Sequence, residues 1–161
     1  IILNHIQINQ KIKRIAYQIY EANSSEKEVV IAGIQGNGFY FSTLLAKSLD
    51  QISSLKISLC EVYIDKKNPL NKITTSIKTS DYENKSIVLV DDVLNSGTTL
   101  MYGIKHFLGV PLKRFKTAVL VNRNHKKYPV KADFKGISLS TSINEHVEVS
   151  FDKKNSKAFL M

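Results

Sequence analysis

Tryptophan is absent from this sequence, cysteine occurs once and proline three times. No apolar run reaches the roughly 18 to 20 residues that a membrane span needs. The lone Cys60 cannot form an internal disulfide and cannot by itself supply a thiolate zinc site. His5, His106, His125 and His146 are scattered, without metal-ligand spacing. There are no internal repeats and no low-complexity segments. The opening IILNHIQINQ lacks the apolar core and small-residue cleavage site of a signal peptide, and because Ile1 stands where a Met would begin a chain, the natural start is expected elsewhere. Together these absences lead us to expect a cytoplasmic protein with no membrane partner.

Acidic residues are the scarcer sign, 14 against 23 basic ones, for a net charge of +9. A positive field steers anions, so a phosphorylated small molecule or a nucleic acid suits the chain. A solvated lysine surface explains the same count. At 161 residues the chain is expected to form one domain over 1–161.

Ile8, Ile12, Ile15 and Ile19 recur at spacings of four, three and four, which predicts an amphipathic helix from about Gln7 to Ala22. VVIAGI at 29–34 is short, β-branched and followed by glycines, as expected of a strand buried on both faces. Helical spacing returns through Phe41, Leu44, Leu45 and Leu49, and a second strand is expected near 55–64. From Asp65 to Asn84 no period emerges, which suggests a mobile loop at about 65–84. The strand SIVLV, a helix over 98–108 and the strand KTAVLV at 116–121 follow. This alternation argues for an α/β fold, a doubly wound parallel sheet flanked by helices. The short alternating runs of the last forty residues suggest a small C-terminal cap, or hood, of short strands at about 128–155.

The stretch VLVDDVLNSGTT, residues 88–99, drives an apolar run into two adjacent carboxylates and then into hydroxyls around one glycine. In an open α/β sheet, ligands sit where strands end and helices begin. Asp91 and Asp92 fall at that edge, where two neighbouring carboxylates repel and lose hydration unless cations or donors satisfy them. A sugar diol and a magnesium ion would do so. Asn95, Ser96, Gly97, Thr98 and Thr99 then supply hydroxyls, a bend that turns backbone N–H groups to one point, and a helix N-terminus. That is the chemistry of a phosphate seat, and with the acids beside it the pattern describes a ribose 5-phosphate. Any fragment of the stretch reads equally well as a strand, a turn and an N-cap from Ser96 or Thr98; the twelve residues together do not.

Those twelve residues resemble the signature of type I phosphoribosyltransferases, which bind 5-phosphoribosyl 1-pyrophosphate (PRPP) with Mg²⁺. LVNRNHKKYPVKADFKG at 120–136, followed by STS at 140–142, is similar to the pyrimidine operon attenuators, regulators that are also uracil phosphoribosyltransferases. The resemblance implies that Asp91 and Asp92 are the catalytic acids facing the ribose hydroxyls and reach the metal indirectly through PRPP. It implies that residues 95–99 hold the 5′-phosphate and that Gln35, Gly36, Asn37 and Gly38 form the pyrophosphate loop. It places Arg123, Ile137, Leu139 and Val147 near the base or cap and Asp152 near the magnesium pyrophosphate. The implied activity is phosphoribosyl transfer to a nucleobase, uracil first, giving a nucleoside monophosphate. The alternative is a catalytically weak, nucleotide-sensing regulator that binds RNA through Lys13, Arg14, Arg123, Lys126 and Lys131. The family also implies a homo-oligomer.

The chain departs from the family in three places. Gln35 and Asn37 are neutral where the regulators carry Lys and Arg, and a Tyr-Arg pair expected in the mobile loop is missing, leaving Lys66 and Lys67 as the nearest cations. Asn95 stands where 6-oxopurine enzymes of the superfamily carry an Asp that handles a base proton; an amide takes no proton at neutral pH, which disfavours purine salvage. The glycines of GIQGNG also prompt a dinucleotide-binding reading, but the order is GxxGxG rather than GxGxxG and no ribose-binding acid ends the next strand.

Overall fold

The computed structural model describes residues 1–161. The first helix, α1, covers His5–Ala22, two residues more than its isoleucine stripe marks at the start. Asn4 accounts for the difference: its side-chain oxygen accepts from Gln7 N at 2.9 Å while Gln7 Oε1 accepts from Asn4 N at 2.9 Å, a reciprocal cap that satisfies two otherwise orphaned donors. Ile8, Ile12, Ile15 and Ile19 are buried along one face, each contributing about 1.5–3 kcal/mol relative to exposure.

A parallel strand, β1 (Glu28–Ile34), leads into α2 (Asn37–Ile52), which returns to β2 (Lys56–Tyr63). The stretch expected to be irregular contains a two-residue strand, β3 (Thr74–Thr75), antiparallel to the end of β2, and a single helical turn, α3 (Thr79–Tyr82), anchored by the buried Tyr82. Within it, Asp65 accepts from Lys67 N, Asn68 N and Asn71 Nδ2 and folds the segment back on itself. Then come β4 (Ser86–Leu94), α4 (Thr98–Phe107) and β5 (Arg114–Arg123).

The C-terminal cap is smaller than its alternating sequence suggested. β6 (Phe134–Leu139) pairs parallel with β5 and completes the main sheet, in the order β3-β2-β1-β4-β5-β6. Only β7 (Val147–Ser150) and β8 (Lys157–Leu160) stand apart, as an antiparallel hairpin that Leu3 joins through a bridge to Ala158. An edge strand covered by a helix on one face alternates just as a cap strand does, so the pattern alone did not distinguish them.

Two apolar layers sandwich the sheet. Residues of α1 and α2 pack with Val29, Ile31, Val88, Val90, Ala118 and Leu120 on one face. On the other, Leu100 and Phe107 of α4 pack with Val30, Ala32, Ile87 and Leu89. The chain leaves β1 toward β2 on one side and β4 toward β5 on the other, so the crevice at the carboxyl ends of β1 and β4 is the place where such a sheet opens a ligand site.

Candidate functional site

β4 runs past its apolar core and carries both aspartates as its sixth and seventh residues, so they are fixed by the ladder rather than by a loop. Asp91 is 5% exposed, and Asp92 is half-buried. Burial, and next to it the Asp92 carboxylate, push the Asp91 carboxyl well above its ordinary value of 3.8, while Lys66 and the Asp92 N–H pull it down. The Asp92 N–H donates to Asp91 Oδ1 at 2.9 Å. The first turn of α2 lies directly over this group: a Cβ on Gly38 would stand 2.8 Å from Asp91 Oδ1, so only glycine lets the helix start there.

After Leu94 the chain bends through Asn95 and Ser96 to Gly97, whose φ of +89° is the left-handed conformation that opens α4. A side chain at Gly97 would also meet Val130 Cγ1 at 2.5 Å. The backing for this bend comes from far along the sequence. Lys127 N and Tyr128 N both donate to the Ser96 carbonyl, at 2.7 and 3.1 Å, and so hold the bend from behind. Inside it Ser96 Oγ and Thr98 Oγ1 lie 2.9 Å apart and Thr98 N donates to Ser96 Oγ at 3.3 Å, while Gly97 offers no side-chain cap, so the next N–H groups of α4, those of Thr99 and Leu100, stay free for an anion. Asp91, Asp92 and residues 95–99 line one cavity of about 170 Å³ together with Lys66.

A second cavity of about 320 Å³ adjoins it, sharing Lys66, Asp92, Val93 and Asn95 and adding Asn37, His146, Val147 and Val149. Nothing along the chain favours Lys66 over Lys67, but of the two the structure brings only Lys66 into both cavities. No local signal distinguishes the two lysines, because the selection depends on how Asp65 folds the segment.

The remaining expected site residues divide. Gln35 is exposed, and its N–H is taken by the Val62 carbonyl, whereas Gly36 turns at a φ of +92° to start α2. Asn37 reaches the second cavity, yet its Nδ2 donates to the Val149 carbonyl at 2.9 Å and fastens the hairpin to α2. Val147 lines the same cavity, while Ile137 and Leu139 lie on β6 and pack against the α1 side of the core. Asp152 lies elsewhere: its carboxylate caps a turn through Lys154 N and Asn155 N, and it lines a groove with Lys13, Tyr40 and Lys47. Arg123 is buried beneath the hood, bonded to Asn95, Thr141, Ser142 and Glu145.

No group of three or more His, Cys, Asp or Glu side chains is positioned to hold a metal. Two adjacent carboxylates beside an anion seat instead suit a hard cation that keeps most of its ligands from a bound phosphate and water. No helix is long and apolar enough to cross a membrane.

Residues 1–154 match the phosphoribosyl transferase domain family. The chain is 32% identical to the bifunctional protein PyrR of Limosilactobacillus reuteri, over 94% of this chain and 91% of that one. It is 35% identical to PyrR of Streptococcus equi subsp. zooepidemicus, over 92% and 88%. Among solved structures, a hypoxanthine-guanine phosphoribosyltransferase of Bacillus anthracis superposes with a TM-score of 0.70 at 20% identity, covering 88% of this chain and 80% of that one. The hypoxanthine phosphoribosyl transferase of Trypanosoma cruzi does so with a TM-score of 0.74 at 17% identity, covering 88% and 79%. At those identities the structures establish a shared fold.

Proposed function

The chain belongs to the phosphoribosyl transferase domain family, and from that premise we propose that it transfers the 5-phosphoribosyl group of PRPP to a nucleobase, uracil before others, and releases pyrophosphate. One observation carries this reading: the adjacent carboxylates of Asp91 and Asp92 and the donor-rich bend of residues 95–99 line a single cavity at the sheet's switch point.

In this reading the 5′-phosphate sits against the Ser96–Thr99 N–H groups and hydroxyls at the start of α4, where the helix dipole adds about 0.3–1 kcal/mol to the hydrogen bonds. Asp91 and Asp92 accept from the ribose hydroxyls and fix C1 toward the second cavity. A ring nitrogen of the base forms the new bond to C1 as the C1–O bond breaks; pyrophosphate leaves with the bonding electrons and the displaced ring proton passes to water. No side-chain nucleophile is required, and the rate comes from positioning and charge stabilisation. Lys66 faces the departing pyrophosphate, with the N–H groups at the start of α2. Asp91 and Asp92 fit a Mg²⁺ brought in on PRPP, which when bound neutralises charge on the leaving group.

An RNA-binding, nucleotide-sensing role draws on Lys13, Lys126 and Lys131. Of the five residues it calls on, Arg123 is buried, and Arg14, although exposed, spends its Nη2 on the Lys135 and Gly136 carbonyls at 3.2 and 2.7 Å. Transfer is therefore the reading the geometry favours. A screen of free bases with PRPP and Mg²⁺, read by pyrophosphate release and nucleotide formation, tests it; uracil should react fastest. Binding of PRPP without turnover on any base would leave only the sensing role.

A further inference from the structure

A groove of about 700 Å³ lies apart from the cleft and shares no residue with either of its cavities. α1 and α2 form two of its sides, and the turn between β7 and β8 contributes the third. Ile12, Leu44 and Ile52 give it an apolar floor continuous with the core beneath the helices. A volume of that size belongs to sites that enclose a small organic ligand rather than a single ion.

The rim of the groove is cationic. Lys13 comes from α1, Lys47 from α2 and Lys153 from the turn, three elements that meet only through folding. None of these lysines makes an ion pair. They face one carboxylate, Asp152, whose Oδ1 is already taken by Lys154 N and Asn155 N at 2.9 and 3.1 Å. Like charges gathered around a partly apolar floor repel, and an anion relieves that repulsion. Neutral donors point the same way. His5 Nδ1 accepts from Ser156 N at 2.9 Å, which places the proton of the neutral ring on Nε2. The Asn9 amide, 3.0 Å from Nε2, therefore turns its oxygen to the ring and keeps its NH2 for the groove.

One side is aromatic. Tyr40 stacks on Phe151, with ring centroids 5.3 Å apart and planes 22° from parallel, so one face of its ring is covered. Tyr40 is nonetheless 38% exposed and lines the groove. An open aromatic face beside converging ammonium groups suits a ligand that is flat at one end and polyanionic at the other.

We propose that this groove is a second ligand site, which binds a nucleoside di- or triphosphate with its base against Tyr40 and the apolar floor and its phosphates among Lys13, Lys47 and Lys153. The site stands independently of the transferase reading of the cleft. It lies next to the cleft in structural terms, because Tyr40 follows Asn37 by about one turn of α2, and Phe151 follows Val149, whose carbonyl accepts from Asn37 Nδ2. A ligand in the groove thus grips the two elements whose junction borders the second cavity.

The test is calorimetry on the intact chain with adenosine 5′-triphosphate as the probe, in excess ribose 5-phosphate to occupy the phosphate seat, and with inorganic tripolyphosphate as the ligand that lacks a base. The nucleotide should bind one to one and about tenfold more tightly than tripolyphosphate. Tyr40→Leu should remove most of that preference and leave tripolyphosphate binding unchanged. Lys47→Ala and Lys153→Ala, both at exposed positions, should each weaken both ligands about tenfold, whereas Lys66→Ala in the cleft should change neither. No nucleotide binding, equal affinities for the two ligands, or indifference to Lys47→Ala would each overturn the site. Sensitivity to Lys66→Ala in place of Lys47→Ala would put the nucleotide in the cleft, overturning the groove and leaving the phosphate seat standing. A single-stranded oligonucleotide that displaces the nucleotide, and binds far more tightly with a steep dependence on salt, would make the groove part of a nucleic-acid surface and overturn the assignment to a free nucleotide.

Discussion

Two strand-to-helix turns meet at the same sheet edge and are built on opposite principles. The turn after β4 packs its chemistry into contiguous side chains: two carboxylates, then Ser96, Thr98 and Thr99 around a left-handed glycine. The turn after β1 has almost no chemistry of its own. Gln35 points to solvent, Gly36 only bends the chain, and Asn37 spends its amide on the Val149 carbonyl. Charge for that side of the cleft arrives from a third segment, through Lys66. The first turn grips by geometry that its own residues impose, whereas the second depends on a segment that must fold over it. In the proposed reaction, phosphate and ribose binding should therefore be robust and pyrophosphate handling fragile.

The sharpest way to break this comparison is at the carboxylates. Asp92→Asn should lower kcat/KM for PRPP by about 10- to 100-fold, the value of one or two hydrogen bonds to a charged acceptor. Steady-state kinetics of pyrophosphate release would show it, and unchanged kinetics would mean that the acids do not face the sugar. Lys66→Ala should come next, weakening inhibition by pyrophosphate about tenfold with little effect on ribose 5-phosphate binding. Lys67→Ala serves as the control outside both cavities. Asn37→Arg restores a cation to the poorer turn and should tighten pyrophosphate binding, but it frees the Val149 carbonyl and should cost about 0.5–1.5 kcal/mol in stability, read by denaturant melts.

The smallest effect concerns Asp91 and pH. Its folded pKa lies well above the ordinary 3.8, so between those two values the folded chain holds a proton that the unfolded chain has released. Its contribution to stability is accordingly greatest below 3.8 and falls as the pH rises toward the folded value. Asp91→Asn should remove that fall, raising the melting temperature at neutral pH and flattening its pH dependence, even as activity is lost. A variant that melts lower at neutral pH would show that the carboxylate is better satisfied than its burial implies.

The parts of this protein legible along the chain are those whose cause is local. Ile8, Ile12, Ile15 and Ile19 mark α1 because helical periodicity is a property of consecutive residues, and residues 88–99 announce an anion site because the strand end, the glycine and the hydroxyls are neighbours in sequence. The start of α1 at Asn4 was equally local, in the Asn–Gln pair three residues apart, although its periodicity gave no sign of it. β6 was misplaced because alternation reports one covered face and not what covers it.

What only the tertiary structure decided were relations across long chain separations. It set Lys66 rather than Lys67 over the aspartates, put Lys127 and Tyr128 behind the Ser96 carbonyl, removed Asp152 from the cleft, and closed Arg123 onto Asn95. Periodicity and turn chemistry act between residues a few positions apart, whereas hydrogen bonds and charge interactions depend on distance and burial in space. Composition named the groups, and folding fixed which of them meet.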